Sequence, residues 1–317
     1  MKNQGIFDRV LSFLRSVIQN FPDKRKSSPN LRYSMEDLAL AAFSVFFTQS
    51  PSFLAYQKTM EQAKGKSNAQ TLFGMDEIPT DNQIRDILDE VPPQQVFPVF
   101  DKILEEFKQA GLLDSFRGFD GQTLIPLDGT WYFSSQNISC ENCSTLSHKN
   151  GDTTFYHSAI TPVIVGQEQK YAIPLRPEFI LPQDGHDKQD CETAAAKRWI
   201  AQHASYYRGL LGEITILGDD LFSKQPLCQE VLVVKGHFIF VCKPESHKTL
   251  YEWIEQLEKE NDLNTLSTKR WNGRFWEIYT YNMAFAHFFV KNEICNLLIL
   301  LKAYFMPNYQ KIELFCF

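Results

Sequence analysis

Leu124-Ile-Pro-Leu-Asp128 and Ile214-Thr-Ile-Leu-Gly-Asp219-Asp220 are two short apolar runs, and each of them ends in a carboxylate. Runs of this length, bounded by turn residues, are typical of buried β-strands. Open α/β sheets bind their ligands beyond the carboxyl ends of the strands. If the two strands lie side by side, Asp128 and Asp219 converge at one edge of the sheet, and both become candidates for one site.

The chain from residue 120 to residue 282 continues in the order strand, strand, strand, helix, strand, helix, strand. β-Branched and aromatic residues predict the second and third strands, and Asp190 is placed to cap the long helix. A sheet with helical crossovers follows from this order, which ribonuclease-H-like folds use. The sequence therefore predicts an α/β protein, a ribonuclease-H-like mixed sheet flanked by helices, from these segments: 124–128, 153–165, 170–175, 191–211, 214–218, 226–234 and 238–242.

An all-helical N-terminal domain is predicted for residues 1–115. Ser34 can cap a helix whose apolar residues are spaced along one face. Thr80, followed by Gln83, has the spacing of a capping box, and a third helix ends at Gly111. Residues 283–317 continue no element pattern of the core. We expect an aberrant or truncated C-terminal tail there, with a plain C-terminal helix as the alternative.

The composition is that of a globular protein without an obvious affinity for nucleic acid. The chain has 317 residues, 44% of them hydrophobic, and a formal net charge of −6. Phosphate contacts need Lys and Arg; Lys197 and Arg198 on the predicted long helix can supply them or remain solvated. The absence of a secretory signal and of an apolar run of about 20 residues predicts a cytoplasmic protein with no membrane partner. Its seven cysteines are then free thiols or metal ligands.

Two converging carboxylates repel each other unless a cation lies between them. Mg²⁺ and Mn²⁺ prefer hard oxygen ligands, and two such ions about 3.5–4 Å apart can assist phosphodiester chemistry. Asp128 and Asp219 therefore predict a magnesium or manganese site, with carboxyl groups roughly 4–7 Å apart. The alternative is structural, because Asp residues that follow strands commonly serve turns. Spacing alone leaves both interpretations open.

Several blocks of the sequence resemble DDE transposases of bacterial insertion sequences. The segment Leu127-Asp-Gly-Thr130 is similar to their first catalytic block, and Leu217-Gly-Asp-Asp-Leu-Phe-Ser223 is similar to the second. Further similar stretches occur in order along the chain: Ile78-Pro-Thr-Asp-Asn-Gln-Ile-Arg85, Pro177-Glu-Phe-Ile180, Lys188-Gln-Asp-Cys-Glu192, Ala195-Ala-Lys-Arg-Trp199 and Val241-Cys-Lys-Pro244. The resemblance covers about residues 35–280.

This resemblance implies a transposase that cleaves and joins DNA at the ends of its element by metal-dependent phosphoryl transfer. Asp128 takes the place of the first catalytic residue and Asp219 that of the second, with Asp220 as the alternative for the second. The resemblance also implies Mg²⁺ or Mn²⁺ at these carboxylates. The partners would be element-end DNA, for which the helical N-terminal domain would be of the DNA-binding type, and a second copy in a homodimer or synaptic complex.

The third catalytic residue of that family, a Glu within a Tyr–Arg–Glu–Lys type signature, has no counterpart in this sequence. Glu277 and Glu293 lie in unsuitable stretches and are not assigned. We therefore expect a truncated, catalytically impaired transposase fragment that binds DNA without cleaving it. One alternative is a non-catalytic DNA- or partner-binding remnant that inhibits the full-length transposase. Another is a metal-dependent nuclease of other descent, which would share the aspartates but not the ordered blocks.

A second group of residues has the character of metal ligands. Cys140 and Cys143 form a Cys-x2-Cys pair, and His148 and His157 follow it. Two thiolates and an imidazole are compatible with a structural Zn²⁺, which would bring the donor atoms of Cys140, Cys143 and His148 within roughly 4 Å of one another. The alternative is a pair of free cysteines beside unrelated histidines, because the spacing matches no standard zinc finger.

Overall fold

Two units make up the chain in the computed structural model, Met1–Gly111 and Leu112–Phe317. The structure describes residues 5–25, 31–75, 77–182, 190–262, 264–271, 276–290, 293–306 and 309–316. Over these residues the chain is a mixed α/β protein with helices and three β-sheets. The predicted α/β class is therefore confirmed.

The N-terminal unit is helical wherever the structure describes regular elements. Ser34 caps its second helix as predicted: the Ser34 hydroxyl accepts from the Asp37 N–H at 3.0 Å, and the Asp37 carboxylate accepts from the Ser34 N–H at 3.0 Å. Thr80 precedes the fifth helix, but its side chain makes no capping hydrogen bond, so the capping box predicted there does not form. The helices are α1 (Ile6–Ile18), α2 (Met35–Phe47), α3 (Phe53–Met60), α4 (Ala63–Phe73), α5 (Asp81–Leu88) and α6 (Phe97–Gln109).

Apolar faces of these helices form one core in the N-terminal unit. Its buried residues recur at helical spacing along α1 and α2, as expected for helices that cover each other's apolar sides. The core also takes in a buried tyrosine and the end of α4, and among its most deeply buried members are Ile18, Leu38, Ala41, Tyr56 and Phe73. The unit therefore has a hydrophobic core of its own.

The described strands of the C-terminal unit form three sheets. The largest has the order β1-β8-β9-β13-β12-β11-β10, the second has the order β2-β4-β3 with β7 paired to β4, and the third joins β5 to β6. The segment 283–317, expected to be an aberrant tail, contains the end of β11 and strands β12 and β13. The strands are β1 (Thr123–Pro126), β2 (Gly129–Ser135), β3 (Ser144–Ser147), β4 (Thr153–Ile160), β5 (Val163–Ile164), β6 (Ile173–Pro174), β7 (Glu178–Ile180), β8 (Ile214–Gly218), β9 (His237–Cys242), β10 (Asn264–Trp271), β11 (Trp276–Val290), β12 (Glu293–Met306) and β13 (Tyr309–Cys316).

Strand β2 follows β1 directly and continues in the same direction, so these two strands connect the first two sheets. Strand β1 is parallel to β8, and β8 is parallel to β9. On the other side, β1 and β2 run antiparallel to β4 and β5: the Thr161 N–H donates to the Asp128 carbonyl at 3.0 Å, and the Val165 N–H donates to the Leu124 carbonyl at 3.1 Å. Strands β6 and β7 pair with β5 and β4. The order from β7 to β9 is therefore β7/β6, β4/β5, β2/β1, β8, β9, and β13, antiparallel to β9, continues the sheet beyond it.

Helices connect the parallel strands of this unit. The long predicted helix is present, but it is interrupted: α7 (Glu192–Trp199) continues through a π-helical turn, Ile200–Ala204, into α8 (Ser205–Leu211). Helices α9 (Gln225–Val233) and α10 (Lys248–Lys259) follow β8 and β9. The rings of Trp199 and Tyr207 are buried and stacked at 5.7 Å between centroids. The Trp199 indole N–H donates to the Arg176 carbonyl at 2.8 Å, and the Arg176 N–H donates to the Tyr207 hydroxyl at 3.1 Å.

Candidate functional site

Asp128 and Asp219 lie at the carboxyl ends of neighbouring parallel strands. Pro126 at the end of β1 pairs with Leu217 on β8, and the Leu127 N–H donates to the Leu217 carbonyl at 2.9 Å. Asp128 and Asp219 each follow this pair by two residues, so the same register brings them to one edge of the sheet. The predicted adjacency of the two strands is confirmed.

Both aspartate side chains are exposed, and backbone N–H groups orient them. The Asp128 carboxylate accepts from the Gly129 N–H at 2.9 Å, and the Asp219 carboxylate accepts from the Leu221 N–H at 2.9 Å. Among the residues that the structure describes, neither aspartate forms a salt bridge with a Lys or Arg side chain. Their negative charges are therefore not neutralised by the chain itself, which suits a site for a cation.

Glu192 adds a third carboxylate, which the sequence did not single out. It is the first residue of α7. A Cβ added at Gly129 would overlap the carboxyl group of Glu192, so this side chain packs directly over the backbone next to Asp128. Burial raises the pKa of Glu192 above its ordinary value, and the charges of Asp128 and Asp219 raise it further. We call these three residues the acidic cluster.

The acidic cluster is loosely arranged. Within the described part of the chain, one group of three metal-ligating side chains has all its donor atoms within 4.8 Å of one another, and it is not this one. Like charges explain the spacing, because three carboxylates without a counterion keep apart. The oxygens would have to move inward by side-chain rotation to share one ion.

Asp220, the alternative to Asp219, is engaged in local structure. Its carboxylate accepts from the Lys243 N–H and from the Ser246 hydroxyl, both at 2.6 Å, and lies 3.4 Å from the His247 ring. Burial alone would raise the pKa of Asp220, but the hydrogen bonds from Ser246 and Lys243 outweigh it and hold the pKa below its ordinary value. Asp220 therefore fastens the loop after β9, and Asp219 remains the residue that is free to bind a ligand.

Arg198 fixes the beginning of α7, where Glu192 lies. Its guanidinium donates to Asp190 at 2.7 and 3.0 Å, to Glu178 at 2.8 Å and to the Phe179 carbonyl at 3.2 Å. The Asp190 side chain is fully buried, and its hydrogen bonds to Arg198 raise the pKa of the guanidinium. Arg198 is thus bound to carboxylates of the protein. Arg198 is therefore an ion-paired residue and not a freely solvated charge, and its contact with phosphate stays a prediction.

A cleft of about 350 Å³ adjoins the acidic cluster. Glu192 and Leu221 line it on one side, and Trp131 and Tyr156 line it on another. The Trp131 and Tyr156 rings are stacked at 4.0 Å between centroids, and Trp131 is 47% exposed. The cleft therefore places an exposed aromatic surface next to the carboxylates of the acidic cluster.

Cys140, Cys143 and His157 form the compact group, which we call the thiol cluster. The Sγ atoms of the two cysteines are 3.7 Å apart, and the His157 Nε2 lies 3.3 Å from Cys140 Sγ and 3.4 Å from Cys143 Sγ. Burial lowers the pKa of His157 and so favours the neutral ring. Burial also raises the pKa of the Cys140 thiol, although hydrogen bonds from the Asn142 and Cys143 backbone oppose this.

His148 is not part of the thiol cluster, contrary to the sequence prediction. Its Nε2 lies 2.8 Å from the Thr154 hydroxyl, and its backbone closes the turn between β3 and β4 through the Asp152 carbonyl at 2.8 Å. His157, the other histidine of the predicted ligand set, is the residue that joins the cysteines, because β4 returns beside β2 after this turn. The prediction relied on closeness along the chain, whereas the pairing of β4 with β2 determines which histidine reaches the cysteines.

Comparison of the chain with protein-family models and with curated proteins found no match. Across the described residues, no helix combines the length and the apolar character needed to cross a bilayer. The two clusters and the sheet between them are therefore the features of this chain that bear on its function.

Proposed function

We propose that this chain is the core of a DDE-type transposase of a bacterial insertion sequence, acting by metal-dependent phosphoryl transfer on DNA at the element ends. The observation that carries the proposal is the register of β1 and β8, which places Asp128 and Asp219 at one sheet edge. The ordered sequence blocks around both residues support the same interpretation. In this proposal the protein works in the cytoplasm, with DNA and a second copy of itself in a synaptic complex as partners.

The strand order supports a ribonuclease-H-like core. Three antiparallel lines, β7/β6, β4/β5 and β2/β1, are followed by the parallel strands β8 and β9, with helices α7–α8 and α9 as crossovers. Parallel neighbours require such crossovers, and helices are their usual form. This is the order in which a ribonuclease-H-like fold arranges its five strands, and it sets the first and fourth of them side by side.

The donor set fits Mg²⁺ or Mn²⁺, because every side chain of the acidic cluster offers carboxylate oxygen. When bound, such ions activate a water or 3′-hydroxyl and stabilise the leaving oxygen of a phosphodiester. Asp128 and Asp219 would hold them from the strand ends, each oriented by a backbone N–H. Glu192 would approach from α7 across Gly129.

Catalysis by this chain is impaired in our proposal. The sequence offers no counterpart of the third catalytic Glu of that family, so the two aspartates would hold one ion and a second ion would be held poorly. A second ion stabilises the other reacting oxygen, and its loss can remove several kcal/mol of transition-state stabilisation. We therefore propose DNA binding with little or no strand cleavage. The second candidate, a non-catalytic remnant that binds DNA or the full-length transposase, rests on the same missing Glu.

The test is an assay of DNA binding and strand cleavage by the purified chain. The substrate is a duplex that carries the terminal DNA of the element, with Mg²⁺ or Mn²⁺ added. We expect a shifted complex and little product with the unaltered chain. Asp114→Asn serves as the matched control, because Asp114 is an exposed acid of the same unit outside the acidic cluster.

Three results would change the proposal. Robust cleavage that disappears in Asp128→Asn would refute the impairment and show that some carboxylate of this chain fills the third role, with Glu192, Glu277 and Glu293 as the residues to substitute next. Binding of full-length transposase without binding of DNA would favour the second candidate. A chain that binds neither DNA, full-length transposase nor a divalent ion would overturn both.

A further inference from the structure

We propose that Cys140, Cys143 and His157 bind one Zn²⁺, which fastens the loop between β2 and β3 to strand β4. This site is separate from the acidic cluster and does not depend on the proposed function. Both cysteines lie in that loop, between Ser135 at the end of β2 and Ser144 at the start of β3. His157 lies on β4.

The distances within the thiol cluster match tetrahedral zinc coordination. Zn–S bonds of about 2.3 Å and Zn–N bonds of about 2.0–2.1 Å at tetrahedral angles imply roughly 3.8 Å between two sulfurs and roughly 3.6 Å between sulfur and nitrogen. The observed separations are 3.7 Å for the sulfurs and 3.3 and 3.4 Å from His157 Nε2 to each sulfur. A disulfide would require a sulfur–sulfur distance of about 2.05 Å, so the two thiols are free.

The loop itself is preorganised for two sulfur ligands. The Cys143 N–H donates to the Cys140 carbonyl at 3.2 Å, which closes a tight turn and points both side chains to one side. The Cys140 N–H donates to the Cys143 sulfur at 3.3 Å. A hydrogen bond from the backbone to sulfur stabilises a metal-bound thiolate, in the way that outer partners orient metal ligands generally.

The ring of His157 is held from both sides. Tyr132 stacks against it at 5.7 Å between centroids and 18° between planes, and Phe133 lies against it at 5.5 Å. An irregular register between Trp131 and Phe133 on β2 allows both neighbours to face this ring. The imidazole therefore presents Nε2 to the sulfurs without any rearrangement of β4.

Two thiolates and one imidazole select Zn²⁺ over the hard cations of the acidic cluster, since soft sulfur ligands disfavour Mg²⁺. Two thiolate charges balance the charge of the ion, so the site would be neutral. Cys140 is exposed, so the fourth position faces solvent, and we assign it to water. The ion would stiffen the β2–β4 pair, which also carries the stacked Trp131 and Tyr156 at the cleft.

The test is metal analysis of the full chain purified without chelators, combined with Co²⁺ substitution. We expect one zinc per chain and, with Co²⁺, sulfur-to-metal charge-transfer absorption together with the intense visible bands of a tetrahedral ion. Cys143→Ser should lose both signals. Cys140→Ser, at an exposed position, provides the same measurement if the buried substitution prevents folding. His148→Gln and Cys191→Ser are the matched controls and should keep the metal.

Every other outcome counts against the proposal. If His148→Gln loses zinc as fully as Cys143→Ser does, the ligand set is wrong. If the purified chain contains no zinc, takes up no added Co²⁺ and forms a Cys140–Cys143 disulfide in air, the pair is a redox-sensitive dithiol and not a metal site.

Discussion

The acidic cluster and the thiol cluster lie in the same C-terminal unit, yet they differ in how closely their donor atoms approach. The thiol cluster has all three donors within 3.7 Å of one another, whereas the carboxylates stay further apart. Neutral thiols and a neutral imidazole can be packed together without a metal, but three carboxylates cannot, because their charges repel. A folded chain can therefore complete a zinc site in advance, whereas a magnesium site becomes complete only when the ion arrives.

Removal of zinc should cause the largest change in stability and should leave the acidic cluster intact. A ligand present at 1,000 times its Kd stabilises the folded state by about 4 kcal/mol, which corresponds to a fall in Tm of roughly 10 °C for a unit of this size. Thermal unfolding with and without a zinc chelator measures it. Cys143→Ser should unfold at the lower temperature with either buffer. If chelation also abolishes Mn²⁺ binding, the two clusters are not independent.

The second-largest expected loss of stability comes from breaking the Arg198 ion pairs that hold α7. Arg198→Met leaves the buried Asp190 carboxylate without its main partner, and breaking such a pair costs about 3 kcal/mol. Urea unfolding measures this loss. Arg208→Met is the control, because its partner Glu213 is 50% exposed and such surface pairs contribute at most about 1 kcal/mol. Equal effects of the two substitutions would show that the Arg198 network does not hold the helix in place.

Loss of one aspartate should weaken divalent-ion binding about 100-fold, a difference of about 2.7 kcal/mol. Asp128→Asn and Asp219→Asn each remove one negative charge and one hard ligand from the acidic cluster, while Asp220→Asn should leave the affinity nearly unchanged. Calorimetric titration with Mn²⁺ checks all three. A larger effect of Asp220→Asn than of Asp219→Asn would reverse the assignment of the second acid.

The smallest expected effect measures the contribution of Glu192 to divalent-ion binding. Gly129→Ala places a methyl group where the Glu192 carboxyl lies, and the flexible side chain can swing away at little cost in stability. We expect Mn²⁺ affinity to fall about tenfold, or about 1.4 kcal/mol, and Glu192→Gln to have a similar effect. The same titration, combined with unfolding of both variants, makes the measurement. If Gly129→Ala binds Mn²⁺ normally, Glu192 does not take part in the site.

The sequence predicted those parts of the fold that depend on local pattern. The two apolar runs predicted β1 and β8. Because these strands pair in parallel, Asp128 and Asp219 lie at the same edge of the sheet. The Cys-x2-Cys pair was found for the same reason, because both ligands lie in one loop. Strand β2 was not predicted as a separate strand, since it continues β1 directly after Asp128 without an apolar run of its own.

Contacts between distant segments could not be predicted in this way. Glu192 reaches the aspartates only because α7 crosses Gly129, and an acid in the first turn of a helix ordinarily serves the helix dipole. His157 joins the cysteines through the pairing of β4 with β2, while His148, nearer in sequence, bonds to Thr154. Arg198 looked like a surface charge until its two acidic partners were seen to be neighbours in space.

The π-helical turn Ile200–Ala204 sets the rotational phase of the helix that begins at Glu192. Eight residues separate Trp199 from Tyr207, and at 3.6 residues per turn this spacing would leave their side chains about 80° apart around the axis. The wider turn absorbs one residue, so the two rings face the same way and both hold the backbone of Arg176, one through its carbonyl and the other through its N–H. These contacts fix the rotation of the helix about its own axis relative to the segment between β6 and β7. A deletion of one residue within the turn would let it close into a regular α-helix, in which the two rings would be seven residues and only about 20° apart and would still face the same way.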